Sequence, residues 1–405
     1  MTNSMDHTRL TADLAREAQD LQPWIVERRR HLHANPELSF QEANTAAFLR
    51  AELTKLGYSP SAPVAGKHGF YVDIISPKNP HQFVLLRADI DALPILEEND
   101  IPFKSQNPGV GHLCGHDTHA SMLLGAASLL KPRIAQLPVS VRLVFQHAEE
   151  VNPGGAIDFV REGLTRDVLG CFGLHVSPRV PSGKIGLREG ETMAAVGSLY
   201  GTVRGRGGHA AAPHETVDPM PAAAACVLAL QQIVSRRIPP TEMAVVSVTQ
   251  ISGGTTTNVI PNEVTFKGTL RSFNVQRAHQ IGEWIQHIVR DTAAAWGCEG
   301  SVVIDHGYPP VINDPKAVAA SLEAIRLLFG ETASLEIPKS MGAEDFSYFA
   351  QEKPGSFVFL GVLPEGGTFY PLHHPSFLPD ETQLWRGAAL LAAMPFIAPN
   401  HLTIS

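Results

Sequence analysis

Nine consecutive residues, Gly111-His112-Leu113-Cys114-Gly115-His116-Asp117-Thr118-His119, carry one cysteine, three histidines and one aspartate. Thiolate, imidazole and carboxylate are the donors that bind borderline transition metals. Upstream, Asn107-Pro108-Gly109 marks a loop. Downstream, His119, Met122, Leu123, Ala126, Ala127 and Leu130 recur at helical spacing, and Asp117 has the chemistry of an N-cap. Cys114 and His116 are therefore expected on a loop feeding a helix N-terminus, where the dipole favours a thiolate. The competing reading is a buried structural cysteine beside chance histidines. The rest of the chain decides between them.

The same stretch sits in an ordinary globular sequence. With 405 residues, 44% of them hydrophobic and 18% charged, the chain is expected to form two or three domains. A net charge of −8 argues against nucleic acid as a partner. No apolar run reaches the length of a membrane span, so no membrane partner is expected. Residues Met1 to Gln19 lack the apolar core of a signal peptide. Four scattered cysteines (114, 171, 226 and 298) do not make a disulfide scaffold, and the last three are read as core residues. A cytoplasmic location is the expectation.

Taken in order, residues 9–33 read as a helix stopped by Pro36, and 40–56 as a second helix ended by Gly57. Short apolar segments at 70–75 and 83–87 read as strands, the second running into Asp89-Ile90-Asp91. A strand over 139–146 ends in His147-Ala148-Glu149-Glu150. A helix (156–162) and a strand (171–174) then deliver His175. Strands alternating with helices predict an α/β domain with a mixed, mostly parallel sheet of buried strands. Ligands in such sheets bind beyond the carboxyl ends of the strands. Asp89, Asp91, Cys114, His116, Glu149, Glu150 and His175 are all placed at or near such ends. Adjacent glutamates at a strand end are expected to point opposite ways, one free to bind a metal and the other to move a proton.

From about residue 190 the rhythm changes. A strand through Leu199, Gly201 and Val203 leads to a glycine-rich stretch ending in His209, and Asp218 with Pro219 starts a helix. Strands at 245–251 and 263–271 follow. An amphipathic helix through Ile281, Ile285, Ile288 and Val289 precedes a strand at 301–304. The order β-α-β-β-α-β is that of a ferredoxin-like α+β module. The expected division is 1–189 and 305–405 for the metal-binding domain, with 190–304 inserted. In the last part, helices over 316–329 and from Gly342, a strand over 357–362 and a loop with His373-His374-Pro375 complete the chain.

Several of these segments together resemble the M20 family of metallopeptidases, in its amidohydrolase branch of aminoacylases, hippurate hydrolases and auxin-conjugate hydrolases. The resemblance rests on Arg87-Ala88-Asp89-Ile90-Asp91-Ala92-Leu93-Pro94, Cys114-Gly115-His116-Asp117, Phe145-Gln146-His147-Ala148-Glu149-Glu150 and Gly173-Leu174-His175. It extends to Gly207-Gly208-His209-Ala210, Asn258-Val259-Ile260-Pro261, Gly268-Thr269-Leu270-Arg271-Ser272 and Leu372-His373. It implies two divalent metal ions per subunit, Zn²⁺ or Mn²⁺ first and Co²⁺ or Ni²⁺ as further options. The implied ligands are Cys114, His116, Glu150, His175 and His373, with the Cys114 thiolate as bridge where the wider family has aspartate. Glu149 is implied as general base. The resemblance places His209, Asn258 and Arg271 in an inserted domain that acts as lid and dimerisation element and supplies substrate contacts. His147 stands where the family often has proline. The doublet leaves His373 or His374 as terminal ligand, with the Leu-His alignment favouring the first.

Asp91 is expected to orient a ligand imidazole. Peptidase relatives carry a metal-binding histidine at the position of Asp89. Arg271 is either an exposed strand charge or a guanidinium fork for a substrate carboxylate, and His209 either a surface histidine or a functional loop residue. The function expected is a metal-dependent amidohydrolase that cleaves N-acyl amino acids or similar small amides with a metal-activated water. The partner expected is a second copy of the chain, or more. The alternatives are a dipeptidase or carboxypeptidase of the same superfamily, and a non-catalytic metal- or amino-acid-binding protein.

Overall fold

The computed structural model describes residues 2–402 and divides the chain into two compact units. The larger consists of residues up to Thr192, Ile312–Pro338 and Asp345 onward. It opens with α1 (Thr2–Ala34) and α2 (Ala43–Lys55), the latter ended by Gly57 at φ 78°. Strands β1 (Phe70–Ile74) and β2 (Phe83–Asp89) precede α3 (His116–Leu130) and β3 (Ser140–Gln146). Then come α4 (Ala156–Arg161), β4 (Val168–Pro181) and β5 (Ile185–Leu187). Every residue of β2 and β3 is buried, which explains their unbroken apolar runs.

The smaller unit, Met193–Val311 with Lys339–Glu344, contains β6 (Ala195–Arg204), α5 (Pro219–Leu230), β7 (Ala244–Ser252), β8 (Glu263–Ser272), α6 (Val275–Ala295) and β9 (Glu299–His306). Its four main strands lie in the order β9-β6-β8-β7, all antiparallel, with β7 at one edge. Asp218 caps α5 through the Met220 N–H, and Asn274 caps α6 through the Arg277 N–H. Ile281, Ile285, Ile288 and Val289 form the buried stripe of α6.

The larger unit resumes with α7 (Pro315–Phe329), β10 (Ser334–Glu336), α8 (Ser347–Glu352), β11 (Gly355–Leu363) and α9 (Leu384–Ile397). Its sheet has seven strands in the order β1-β3-β2-β4-β11-β5-β10. The pairs β3–β2, β2–β4, β4–β11 and β5–β10 are parallel; β1–β3 and β5–β11 are antiparallel. Helices α1, α3 and α9 pack on one another, and α3 is buried almost all round. Among the described residues no helix is long and apolar enough to cross a membrane.

Three expectations need correction. Asp117 does not cap α3: the N-cap is Gly115 at φ 97°, and Asp117 lies inside the first turn. A Cβ at Gly115 would come within 2.4 Å of Val176 Cγ2, so both the backbone and the packing require glycine. The strand carrying His175 spans Val168–Pro181, so this histidine stands within a strand rather than at its end. The helix expected from Gly342 begins only at Ser347.

Candidate metal centre

Strands β3, β2 and β4 are parallel neighbours, so their carboxyl ends lie side by side. The end of β2 delivers Asp89 and Asp91, and that of β3 delivers Glu149 and Glu150. On β4, pairing with β2 stops at Gly173, leaving His175 beyond the shared ladder. The loop before α3 brings Cys114 to the same place. Cys114 Sγ lies 3.4 Å from His175 Nε2, and His373 Nε2 lies 3.3 Å from Glu150 Oε1. His116 Nε2 is 3.8 Å from Glu150 Oε1 and 4.0 Å from Glu149 Oε2.

Two groups of possible ligand atoms share one sulfur. Cys114 lies with His116 and His175 in one group, and with Glu150 and His373 in another. His116 Nε2 is buried without a hydrogen-bond partner among the described residues, and buried Glu150 Oε1 makes no hydrogen bond there beyond its 3.3 Å contact with His373. Unpartnered buried donors of this kind fit a cation. The charges agree. Burial, then Glu150, Glu149 and Asp89, push the Cys114 thiol well above its usual value. Burial opposes a charge on His116, but Asp89, Asp91 and Glu150 outweigh it and raise its pKa to about 10. Burial, with His119 beside it, drives His175 well below the usual imidazole value. Both shifts favour the protonated forms of Cys114 and His116, so a divalent cation bound there would displace protons.

The imidazoles of His116 and His175 are each aimed by the other ring nitrogen. His116 Nδ1 is 3.0 Å from the Asp91 carbonyl and 3.1 Å from Asp91 Oδ1, while His175 Nδ1 donates to the Val176 carbonyl at 2.7 Å. His373, at φ 66°, donates its N–H to Leu113 O at 2.8 Å, tying its loop to the cysteine loop. His374 Nδ1 accepts the Ser376 N–H and its ring stacks on Tyr370, so the geometry favours His373 over its neighbour. His147 is turned to Asp158, 3.1 Å from Nε2, and joins none of the possible ligand groups among the described residues.

The expected alternation of the two glutamates fails. Strand β3 ends at Gln146, and Ala148 adopts φ 51°, which brings both carboxylates to His116. Asp89 is committed to Arg87 (2.5 Å) and to His119 Nδ1 (2.6 Å), and His119 Nε2 accepts the Val176 N–H. Burial opposes ionisation of Asp89, but His116, Arg87 and His119 hold it well below the usual range.

Sequence reasoning missed the scaffold behind these candidate ligands. Asp117 Oδ2 is 2.7 Å from Arg29 Nε and 2.8 Å from His33 Nδ1, and His33 Nε2 is 3.0 Å from Glu97. Asp345 joins Arg87, Gln146 and the Ala156 N–H. The available signal was Arg87, a cation after the apolar run 83–86, which has to find buried anions.

The other predicted residues lie in the smaller unit. His209 is exposed and pairs with Val259 in a two-residue ladder; its Nδ1 accepts the Ala211 N–H. Asn258 adjoins it through Ala210 N–H to Asn258 O, 3.0 Å. Arg271, on β8, is half-buried and donates to Thr269 Oγ1 and Leu270 O.

Comparison with known proteins decides the family. The sequence pattern of peptidase family M20/M25/M40 matches residues 85–395. The chain belongs to this family. Within it, the chain is 40% identical over 377 residues to IAA-amino acid hydrolase ILR1-like 2 of Arabidopsis thaliana, covering 92% of this chain and 84% of the relative. It is 38% identical over 390 residues to thermostable carboxypeptidase 2 of Saccharolobus solfataricus, covering 95% and 98%. Among solved structures, the YxeP protein of Bacillus subtilis, described as a dinuclear metal-binding peptidase of family M20, aligns with a TM-score of 0.80 at 32% identity, covering 93% of this chain and 98% of that one. As an M20 member with this donor set, the chain is a metal-dependent amidohydrolase.

Proposed function

We propose that the enzyme hydrolyses N-acyl amino acids and similar small linear amides, using two divalent cations held by Cys114, His116, Glu150, His175 and His373. The observation that carries this reading is the sharing of Cys114 between two ligand groups, which suits a thiolate bridge. Bound there, two cations would lower the pKa of a water and polarise the amide carbonyl. Zn²⁺ and Mn²⁺ suit the mixed sulfur, nitrogen and oxygen donors, as do Co²⁺ and Ni²⁺.

Glu149 takes the proton from the attacking water and returns it to the leaving amine nitrogen. Its buried carboxylate, 4.0 Å from His116 Nε2, is within reach of the same centre. Asp91 fixes His116 with Nε2 facing the ligands. In the smaller unit, His209 donates to the developing oxyanion in the partner chain's centre, Arg271 receives the substrate's carboxylate, and Asn258 is a further substrate contact. Dimerisation runs through this unit. Edge strand β7, with Ile251 54% exposed and Leu228 73% exposed on neighbouring α5, supports that surface. All four cysteines are unpaired, in keeping with the cytoplasm.

A carboxypeptidase is the second reading, favoured by the Saccharolobus solfataricus relative. Turnover of N-acetyl and N-benzoyl amino acids against dipeptides, with Zn²⁺ or Mn²⁺ added, separates the two. The proposal expects the N-acyl compounds to be hydrolysed fastest; exclusive cleavage of dipeptides would replace it with the second reading.

A further inference from the structure

Phe40 (φ 64°) and Ala148 (φ 51°) both hold left-handed backbone, a conformation unfavourable for residues other than glycine. One oxygen serves both: Glu42 Oε1 accepts the Ala148 N–H at 2.8 Å and the Phe40 N–H at 2.9 Å. Glu42 occupies the N-cap position of α2, yet its side chain makes no cap bond there. Instead it reaches an element 106 residues away. Its side chain is wholly buried and Oε2 has no hydrogen-bond partner among the described residues. A buried carboxyl without a cation is costly, so what it holds in place matters.

What it holds is the segment carrying both glutamates. Glu42 takes the first N–H of residues 148–150, and Asp91 Oδ2 takes the third, Glu150 N–H, at 3.0 Å. Between these two anchors stands Glu149. With extended backbone at Ala148 in place of the left-handed turn, successive side chains would diverge.

We infer that Glu42 is a positioning residue for the hydrolytic reaction, fixing the Ala148 turn that directs Glu149 to the reacting centre. This rests on the reading of Glu149 as the proton carrier. Burial, then Asp91, raises the Glu42 pKa to about 7, so the site suits a neutral side chain that still accepts two hydrogen bonds.

The test uses the full-length, metal-loaded enzyme, its metal content, and kcat and KM on an N-acyl amino acid that it hydrolyses. Glu42→Gln keeps the accepting oxygen and should retain nearly wild-type turnover. Glu42→Ala should lower kcat by roughly 10²-fold, the scale of a small misplacement of a reacting group, with metal content and KM little changed. Adding Ala148→Gly to Glu42→Ala should restore part of kcat, because glycine takes positive φ without help. If the alanine variant fails to fold, Glu42→Asp, too short to reach both N–H groups, carries the same expectation. Wild-type kcat in folded Glu42→Ala would overturn the inference, as would equal damage in the Gln and Ala variants. Glu149→Gln is assayed in parallel. Its inactivity beside a fully active Glu42→Ala defeats only the positioning role, whereas an active Glu149→Gln defeats both readings.

Discussion

His116 Nδ1 lies 3.1 Å from Asp91 Oδ1, and the other oxygen of that carboxylate accepts the Glu150 N–H. One side chain thus orients two proposed ligands. Asp91→Ala should weaken metal affinity by about 10–100-fold, the usual scale for removing such a partner. Competition with a chelating indicator measures it; unchanged affinity would deny Asp91 this role.

Cys114 should make metal binding steeply pH-dependent. Burial and the nearby carboxylates raise its thiol, so in the metal-free site the sulfur holds a proton that binding must release. Affinity should fall by roughly tenfold per proton released for each unit of decreasing pH. Cys114→Ser should lose most bound metal by elemental analysis, and chelation should abolish turnover. A metal-free preparation with full activity would remove the basis of the mechanism.

Glu149→Gln should retain metal and substrate binding while kcat drops by more than the ~10²–10⁴ typical of general acid–base help, because one residue serves both proton transfers. Glu150→Gln should instead lose metal. Similar metal loss in the two variants would contradict the division of roles.

His112 predicts an acid-sensitive fold. It is buried, with neither ring nitrogen hydrogen-bonded among the described residues, and burial lowers its pKa from 6.5 to about 4. The unfolded chain therefore binds this proton first. Stability should be lost as pH falls from 6.5 toward 4, by on the order of 3 kcal/mol from this group. Asp89, Asp91 and Asp117 lie below the ordinary aspartate value of 3.8, so their losses come at lower pH. Thermal melts of His112→Asn should show a flatter profile between pH 6.5 and 4; a parallel profile would rule out this origin.

His209→Ala should keep metal and dimer but lose about 10²–10³ in kcat, as for one oxyanion donor. Mixing His209→Ala with Glu149→Gln subunits should recover part of the activity, since one hybrid centre has both residues intact. No recovery between subunits shown to exchange would place His209 outside the partner's centre.

The chemistry of this protein is legible locally, its geometry is not. A cysteine and histidines on a short loop before an apolar helix, and acidic pairs after apolar strands, announce a metal centre because few other arrangements use those donors together. The helical periodicity of Ile281, Ile285 and Ile288, and the apolar runs of β2 and β3, likewise declare their elements, because burial on one face or two writes itself into residue spacing. Other features depend on what lies nearby in space. Asp117 has the composition of a cap, yet its carboxylate is taken by Arg29 and His33 from α1. Strand alternation predicts that Glu149 and Glu150 diverge; in the fold both lie near His116, beside a left-handed Ala148 whose N–H is taken by Glu42. The Leu-His pattern favours His373 over His374 in the sequence, and only the fold sets its Nε2 3.3 Å from Glu150 Oε1. In each case the deciding partner is remote in the chain, and no local propensity carries that information; packing and hydrogen bonding in the folded molecule make the choice.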